Sequence, residues 1–177
     1  GGNSLLGIIT FGKRVGKNAS MNTSNITSFN TNNYTNLLLL EKESINQIYN
    51  LPNKINYQIT KQTLGKALFQ NVGLFKDESK LQSILKDIKQ WIKDTKDMGI
   101  SDKSNIYNTD LKEFIEFKSM LELSLVIVTS ALHRKESRGA HYRTDYLEPK
   151  KESECSTILT KKDTEIKVQL CKYKFVV

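Results

Sequence analysis

The chain has 177 residues, 38% of them hydrophobic and 26% charged, a balance that can bury one core of ordinary size and excludes a disordered polymer. Its 27 Lys and Arg against 19 Asp and Glu give a net charge of +8, but the lysines are scattered without an interleaved aromatic platform, so nucleic acid is not an expected partner. No apolar run approaches the ~20 residues of a membrane span, and Cys155 and Cys171 lack partners at metal-ligand spacing, so free thiols, no metal and a cytoplasmic location are expected.

Ser4 suits a helix N-cap ahead of Leu5, Leu6, Ile8, Ile9 and Phe11, and the first helix is expected within residues 1–18. Its start would aim free backbone N–H groups and a partial positive charge at whatever lies before it. Residues 19–36 are rich in Asn, Thr and Ser and poorly periodic, which predicts a polar linker. The Asn-x-Ser/Thr triplets there arise by chance in so biased a stretch. Residues 37–50, with Leu37 to Leu40, Ile45 and Ile48, read as a short docking helix that opens a helical domain over 37–147.

Three helical patterns follow. The first covers about 60–72, with Leu64, Ala67, Leu68 and Val72 on one face and Gly73 as a stop. In the second, Leu81, Ile84, Leu85, Ile88, Trp91, Ile92 and Met98 recur at three- and four-residue spacing, and Gly99 ends it. Trp91 on such a stripe is core packing. The third spans about 110–136, with Asp110 and Glu113 at capping-box spacing and an apolar middle, Leu121 to Leu132, that predicts a buried central helix. Short connections make the three antiparallel neighbours. Gly139 suits the C-cap of the last helix, and the cations around it would complement the helix dipole. In the tail, 148–177, Ile166, Val168, Leu170, Tyr173 and Phe175 alternate as in a strand, which must pair with residues 156–159 or with a sheet elsewhere.

Two motifs carry more than local structure. Ser137-Arg138-Gly139-Ala140-His141, then Arg143, Asp145 and Tyr146, preceded by Arg134-Lys135-Glu136, resembles a signature of the L-aspartate oxidase and succinate dehydrogenase/fumarate reductase flavoproteins. Leu147 stands where the family commonly has proline, and Pro149 follows two residues on. Gly2-Asn3-Ser4-Leu5-Leu6 and Phe11-Gly12-Lys13-Arg14-Val15-Gly16 resemble the segment that closes the FAD-binding domain in the same superfamily, and the two signatures stand in the family's order.

The resemblance implies a mainly α fold: a C-terminal three-helix bundle domain, the closing helix of an FAD-binding domain, and a short β tail. It implies FAD as cofactor, with the main chain of Asn3, Ser4 and Leu5 at the flavin. Arg138, His141 and Arg143 become interdomain residues that support the substrate cavity from one side. No Gly-x-Gly-x-x-Gly fingerprint occurs, so a dinucleotide-binding domain cannot be built from this chain. The reading is therefore the C-terminal part of a longer flavoenzyme, inactive alone, whose catalytic residues lie upstream of Gly1 and whose partners are the remaining FAD-binding and substrate-capping domains. Tyr142 and the short tail resemble L-aspartate oxidase most. That enzyme oxidises L-aspartate to iminoaspartate for NAD biosynthesis, with oxygen or fumarate as electron acceptor. A succinate dehydrogenase or fumarate reductase flavoprotein is the alternative, and a non-catalytic helical interaction module is the alternative of another class.

Overall fold

The computed structural model describes residues 3–23, 31–162 and 165–171, and the chain divides into two compact units, Gly1–Ile45 and Asn46–Val177. The first unit holds α1 (Ser4–Thr23) and most of α2 (Thr31–Asn50). Gly7 N–H donates to the Asn3 carbonyl at 2.9 Å, so the first turn closes on Asn3 and Ser4 is already helical. Both helices reach into the stretch expected as a linker. Residues 19–36 contain neither glycine nor proline, and polar composition alone does not break a helix. Residues 24–30 of that stretch lie outside the described ones. Leu5, Leu6, Ile8, Ile9 and Phe11 of α1 and Leu37 to Leu40 of α2 are exposed.

The second unit begins with the last turn of α2, which stops before Pro52 as the steric restriction on the preceding residue requires. It continues with α3 (Tyr57–Val72), β1 (Phe75–Lys76), α4 (Glu78–Asp94), α5 (Thr109–His133), β2 (Tyr142–Arg143), β3 (Ser156–Lys162) and β4 (Glu165–Cys171). The three middle helices pack on one another around Leu64, Leu81, Ile84, Ile88, Phe114, Phe117, Leu121 and Val128, and Ile48 of α2 joins them. Tyr57 meets Phe114 edge-on at 5.1 Å between ring centroids. Trp91 lies half-buried against this core, as its place on the apolar stripe predicts. The fold is mainly helical with short strands. No helix among the described residues is long and apolar enough to cross a membrane.

Each middle helix has a side-chain cap. Asn56 accepts from the N–H groups of Gln58 and Ile59, Asp77 from Lys80, and Asn108 from Leu111. The expected capping box on Asp110 is thus replaced by Asn108. Asp110 instead accepts from the Tyr57 hydroxyl and from the N–H groups of Ser101 and Asp102, tying the start of α5 to the start of α3. α4 ends in a 3-10 turn over Thr95–Asp97, short of Gly99. Gly99 serves close approach, since a Cβ there would collide with the Leu51 carbonyl. α5 is not buried all round. Leu121, Ser124, Val128, Ala131 and Leu132 face the core, whereas Leu123 and Ile127 are 60% and 46% exposed, because α3 and α4 cover only one side.

The tail strand finds its partner in the chain itself. β3 and β4 pair antiparallel from Ser156 opposite Cys171 to Lys162 opposite Glu165, and Lys161 reaches Glu122 of α5 at 2.8 Å. Tyr173 and Phe175 lie outside the described residues.

Truncating a fully buried position on α4, Leu81→Ala or Ile88→Ala, is expected to cost about 2–5 kcal/mol through transfer and cavity terms. Leu85 is only half-buried and should cost less. Lys86→Ala and Lys89→Ala, on the exposed face, should cost less than about 0.5 kcal/mol. Denaturant unfolding of these five variants checks the assignment; equal losses from the buried and the exposed positions would refute it.

Candidate functional site

α5 ends at His133, and the segment that follows is an extended, tightly bonded strap and not a helix end with a solvated turn. Arg138 N–H donates to the His141 carbonyl at 2.8 Å, and His141 N–H to the Arg138 carbonyl at 3.1 Å. Gly139 therefore sits in a two-residue turn with a φ of 57°, and is not the C-cap of α5. Glycine takes that left-handed position without a Cβ penalty. Next, β2 pairs parallel with β1, placing Tyr142 opposite Phe75 and Arg143 opposite Lys76.

Arg143 is wholly buried, and all its donor nitrogens are engaged. Nη1 donates to the Ala131 carbonyl in the last turn of α5 at 3.0 Å. Nη2 donates to Glu78 in the first turn of α4 at 2.9 Å, and Nε and Nη2 grip both oxygens of Asp145 at 2.7 Å. The Tyr146 ring lies 5.0 Å from the guanidinium carbon. Asp145 also accepts from the Glu78 N–H at 2.8 Å, so it caps α4 alongside Asp77. A cation meets the carbonyl end of one helix and a carboxylate the amide end of the other, each complementing its dipole. Ser137 locks the strap: its hydroxyl accepts from the Arg143 N–H and donates to the Tyr146 carbonyl, both at 2.8 Å.

Glu136 forms a second buried centre. It accepts from Arg134 at 2.8 Å, from Arg138 at 3.1 Å and from the Lys150 N–H at 2.8 Å. Arg134 extends onward to the carbonyls of Ser153 and Cys155 and the hydroxyl of Thr157, fastening the start of β3. Arg138 is the most exposed of the three arginines, and its Nη1 has no hydrogen-bond partner among the described residues. His141 Nε2 lies 3.0 Å from the Arg134 carbonyl, so that nitrogen carries the proton. Burial pushes its imidazole below the usual range, with further lowering from Lys76, Arg143 and Arg134. The ring is therefore neutral at pH 7.

The three motif residues expected to act between domains thus separate in the structure. Arg143 is committed inside the unit, His141 is half-buried against the strap, and Arg138 keeps an exposed edge. Asn3, Ser4 and Leu5 lie at the start of α1 in the other unit. Sequence reasoning gave Glu136, Arg134, Asp145 and Glu78 no role in holding the site together. A signal was present: in extended chain, residues two apart share a side, which aligns Arg134, Glu136 and Arg138, and likewise Arg143 and Asp145. Among the described residues no group of three His, Cys, Asp or Glu gathers as a metal site.

Burial alone would raise the Glu136 carboxyl, but hydrogen bonds from Arg138, Lys150 N–H and Arg134 hold it down to about 2. Arg143 holds Asp145 at about 2 as well. Both groups favour the folded state above their unfolded values and lose that contribution as pH falls. The melting temperature should therefore drop as pH falls from about 4.5 towards 2. Glu136→Gln should flatten that dependence, and Glu136→Ala should cost about 3–5 kcal/mol by leaving its cations without their acid. A pH series of thermal melts tests both; an unchanged slope in Glu136→Gln would place the acid sensitivity elsewhere.

Comparison with known proteins agrees with the motif. Residues 61–176 match the family described as fumarate reductase flavoprotein C-term. The chain is 28% identical over 156 residues to the fumarate reductase flavoprotein subunit of Haemophilus influenzae, covering 84% of this chain and 25% of that protein. It is 29% identical over 153 residues to the succinate dehydrogenase flavoprotein subunit of Rickettsia conorii, covering 82% and 24%. The fold matches a solved quinol fumarate reductase of E. coli with a TM-score of 0.88 at 21% identity, over 96% of this chain and 30% of that one. The chain spans about a quarter of the length of these curated relatives. On a family match that takes in most of α3, all of α4 and α5, the strap and the hairpin, this chain belongs to the succinate dehydrogenase/fumarate reductase flavoprotein C-terminal domain family.

Proposed function

We propose that this chain is the C-terminal portion of an FAD-dependent oxidoreductase that interconverts fumarate and succinate. The family match over residues 61–176 carries the reading, and the relatives named for fumarate reduction and succinate oxidation support it. The L-aspartate oxidase reading rested on Tyr142 and on a tail thought too short for the other members. The tail argument weakens, because the match runs through the β3–β4 hairpin to residue 176. The shared domain therefore includes those last residues, and the substrate pair moves from L-aspartate and iminoaspartate to succinate and fumarate.

Within this proposal α1 closes the FAD-binding domain, residues 46–171 form the helical domain with its hairpin, and the catalytic groups lie upstream. FAD, when bound, supplies two-electron oxidation and reduction. The start of α1 suits such a group: Gly7 is the first amide bonded within the helix, which leaves the Ser4, Leu5 and Leu6 N–H groups to face an acceptor outside it. Ser4 and Leu5 would contribute main chain and the dipole of α1, holding negative charge near the ring. Asn3 would set the helix entry. Arg138, with one guanidinium edge exposed, is the motif residue suited to bridge the helical and FAD-binding domains. Arg143 and His141 act through the strap that positions it.

Two measurements test this. The isolated 177-residue chain should purify without stoichiometric flavin and without turnover. A longer polypeptide containing it, with an FAD-binding domain, should be yellow, reduce fumarate with a reduced dye and oxidise succinate, leaving L-aspartate untouched. Oxidation of L-aspartate without succinate activity would return the enzyme to the aspartate oxidases. In that longer protein Arg138→Ala should lower flavin retention and melting temperature together, with turnover falling as a consequence; intact flavin content with abolished turnover would place Arg138 on the substrate instead.

A further inference from the structure

A cleft of about 760 Å³ opens between α5, the strap and β3. Its cations are Lys76, Arg134 and Arg138, and no acidic residue lines it. Glu136 behind the wall pairs with both arginines, and Glu154 also acts on Arg138. Lys76 is the unusual member. It is more than nine-tenths buried, and its ammonium has one hydrogen bond among the described residues, a long one of 3.5 Å to the Leu74 carbonyl. Among the described residues no carboxylate lies within ion-pair distance of it, and its charged neighbour across the β1–β2 pairing is the like-charged Arg143. Burial and that neighbour lower its pKa. A buried cation normally has an anionic or multiply bonded partner. Val126, Ile127 and Leu159 add an apolar lining to the cleft.

We propose that this cleft binds a small organic carboxylate, its charged head against Lys76, its apolar body along Val126, Ile127 and Leu159. The volume falls in the range of small-molecule sites, and an apolar lining with a few convergent polar groups is their usual chemistry. The carboxylate supplies the counter-charge that Lys76 lacks, and the wall favours an aliphatic acid over inorganic phosphate or chloride. The site lies wholly within the second unit and does not rest on the flavin reading.

The test uses the 177-residue chain with hexanoate as probe, and phosphate and chloride at matched ionic strength. Acetylation of individual lysines is followed by peptide mass mapping. Hexanoate is expected to slow modification of Lys76 several-fold and saturably, while Lys86 on the exposed face of α4 is unaffected and the inorganic anions protect little. Lys76→Met should melt no lower than the parent, because it removes a cation without an acid, and should lose the stabilisation that hexanoate gives the parent. Equal protection of Lys76 and Lys86, or equal protection by phosphate, overturns the proposal. So does a lowered melting temperature in Lys76→Met, which would mean that the ammonium is already satisfied within the fold. The labelling arm needs no variant, so misfolding of Lys76→Met could not hide a negative result.

Discussion

A guanidinium without access to water must direct its N–H groups at acceptors inside the protein, and the positions of those acceptors then become fixed relative to one another. Arg143 holds the last turn of α5 through Ala131, the first turn of α4 through Glu78, and the strap through Asp145. Two helix termini with opposite partial charges converge on one cation and its acid. Replacing arginine by lysine would keep the charge and lose the planar fork that reaches three directions at once. The parallel pairing of β1 with β2 is short, and it is this buried cation that gives it a reason to persist.

Glu136 plays the reciprocal part, an anion that gathers cations. Through Arg134 it reaches the start of β3, so the hairpin is tied to α5 by hydrogen bonds more than by apolar packing. The outer face of α5 consequently stays partly open, with Leu123 and Ile127 exposed and the cationic cleft beside them. A tail held by apolar packing along its length would have closed that space. The cleft lies beside the braced strap, and Lys76, opposite Arg143 in the β pairing, lines it.

The family relationship makes this architecture a flavoprotein C-terminal domain. The charged residues of its strap are turned on one another, which suits a support. What stays open among the described residues is the first turn of α1, whose amides before Gly7 lack partners within the helix, and the edge of Arg138. Both are features that a second domain or a flavin could engage.

Composition and periodicity alone determined the helical character of the chain, the stripes of α3 and α4, the core role of Trp91 and the strand in the tail, while the superfamily was legible only as a resemblance at two motifs. Those features depend on local spacing, where side-chain periods of 3.6 and 2 translate directly into faces. Tertiary structure decided the rest. Polar residues 19–23 and 31–36 are helical although their composition reads as linker, because no backbone breaker stands there to stop them. The end of α5 and the role of Gly139 shifted because the strap bonds to α4 and β1, partners distant in sequence. Charge clusters such as Arg134 to Arg138 look the same on paper whether solvated or buried. Only the arrival of Lys150, Ser153 and the α4 terminus around them, contacts that no local pattern encodes, turned that run into the bracing centre of the domain.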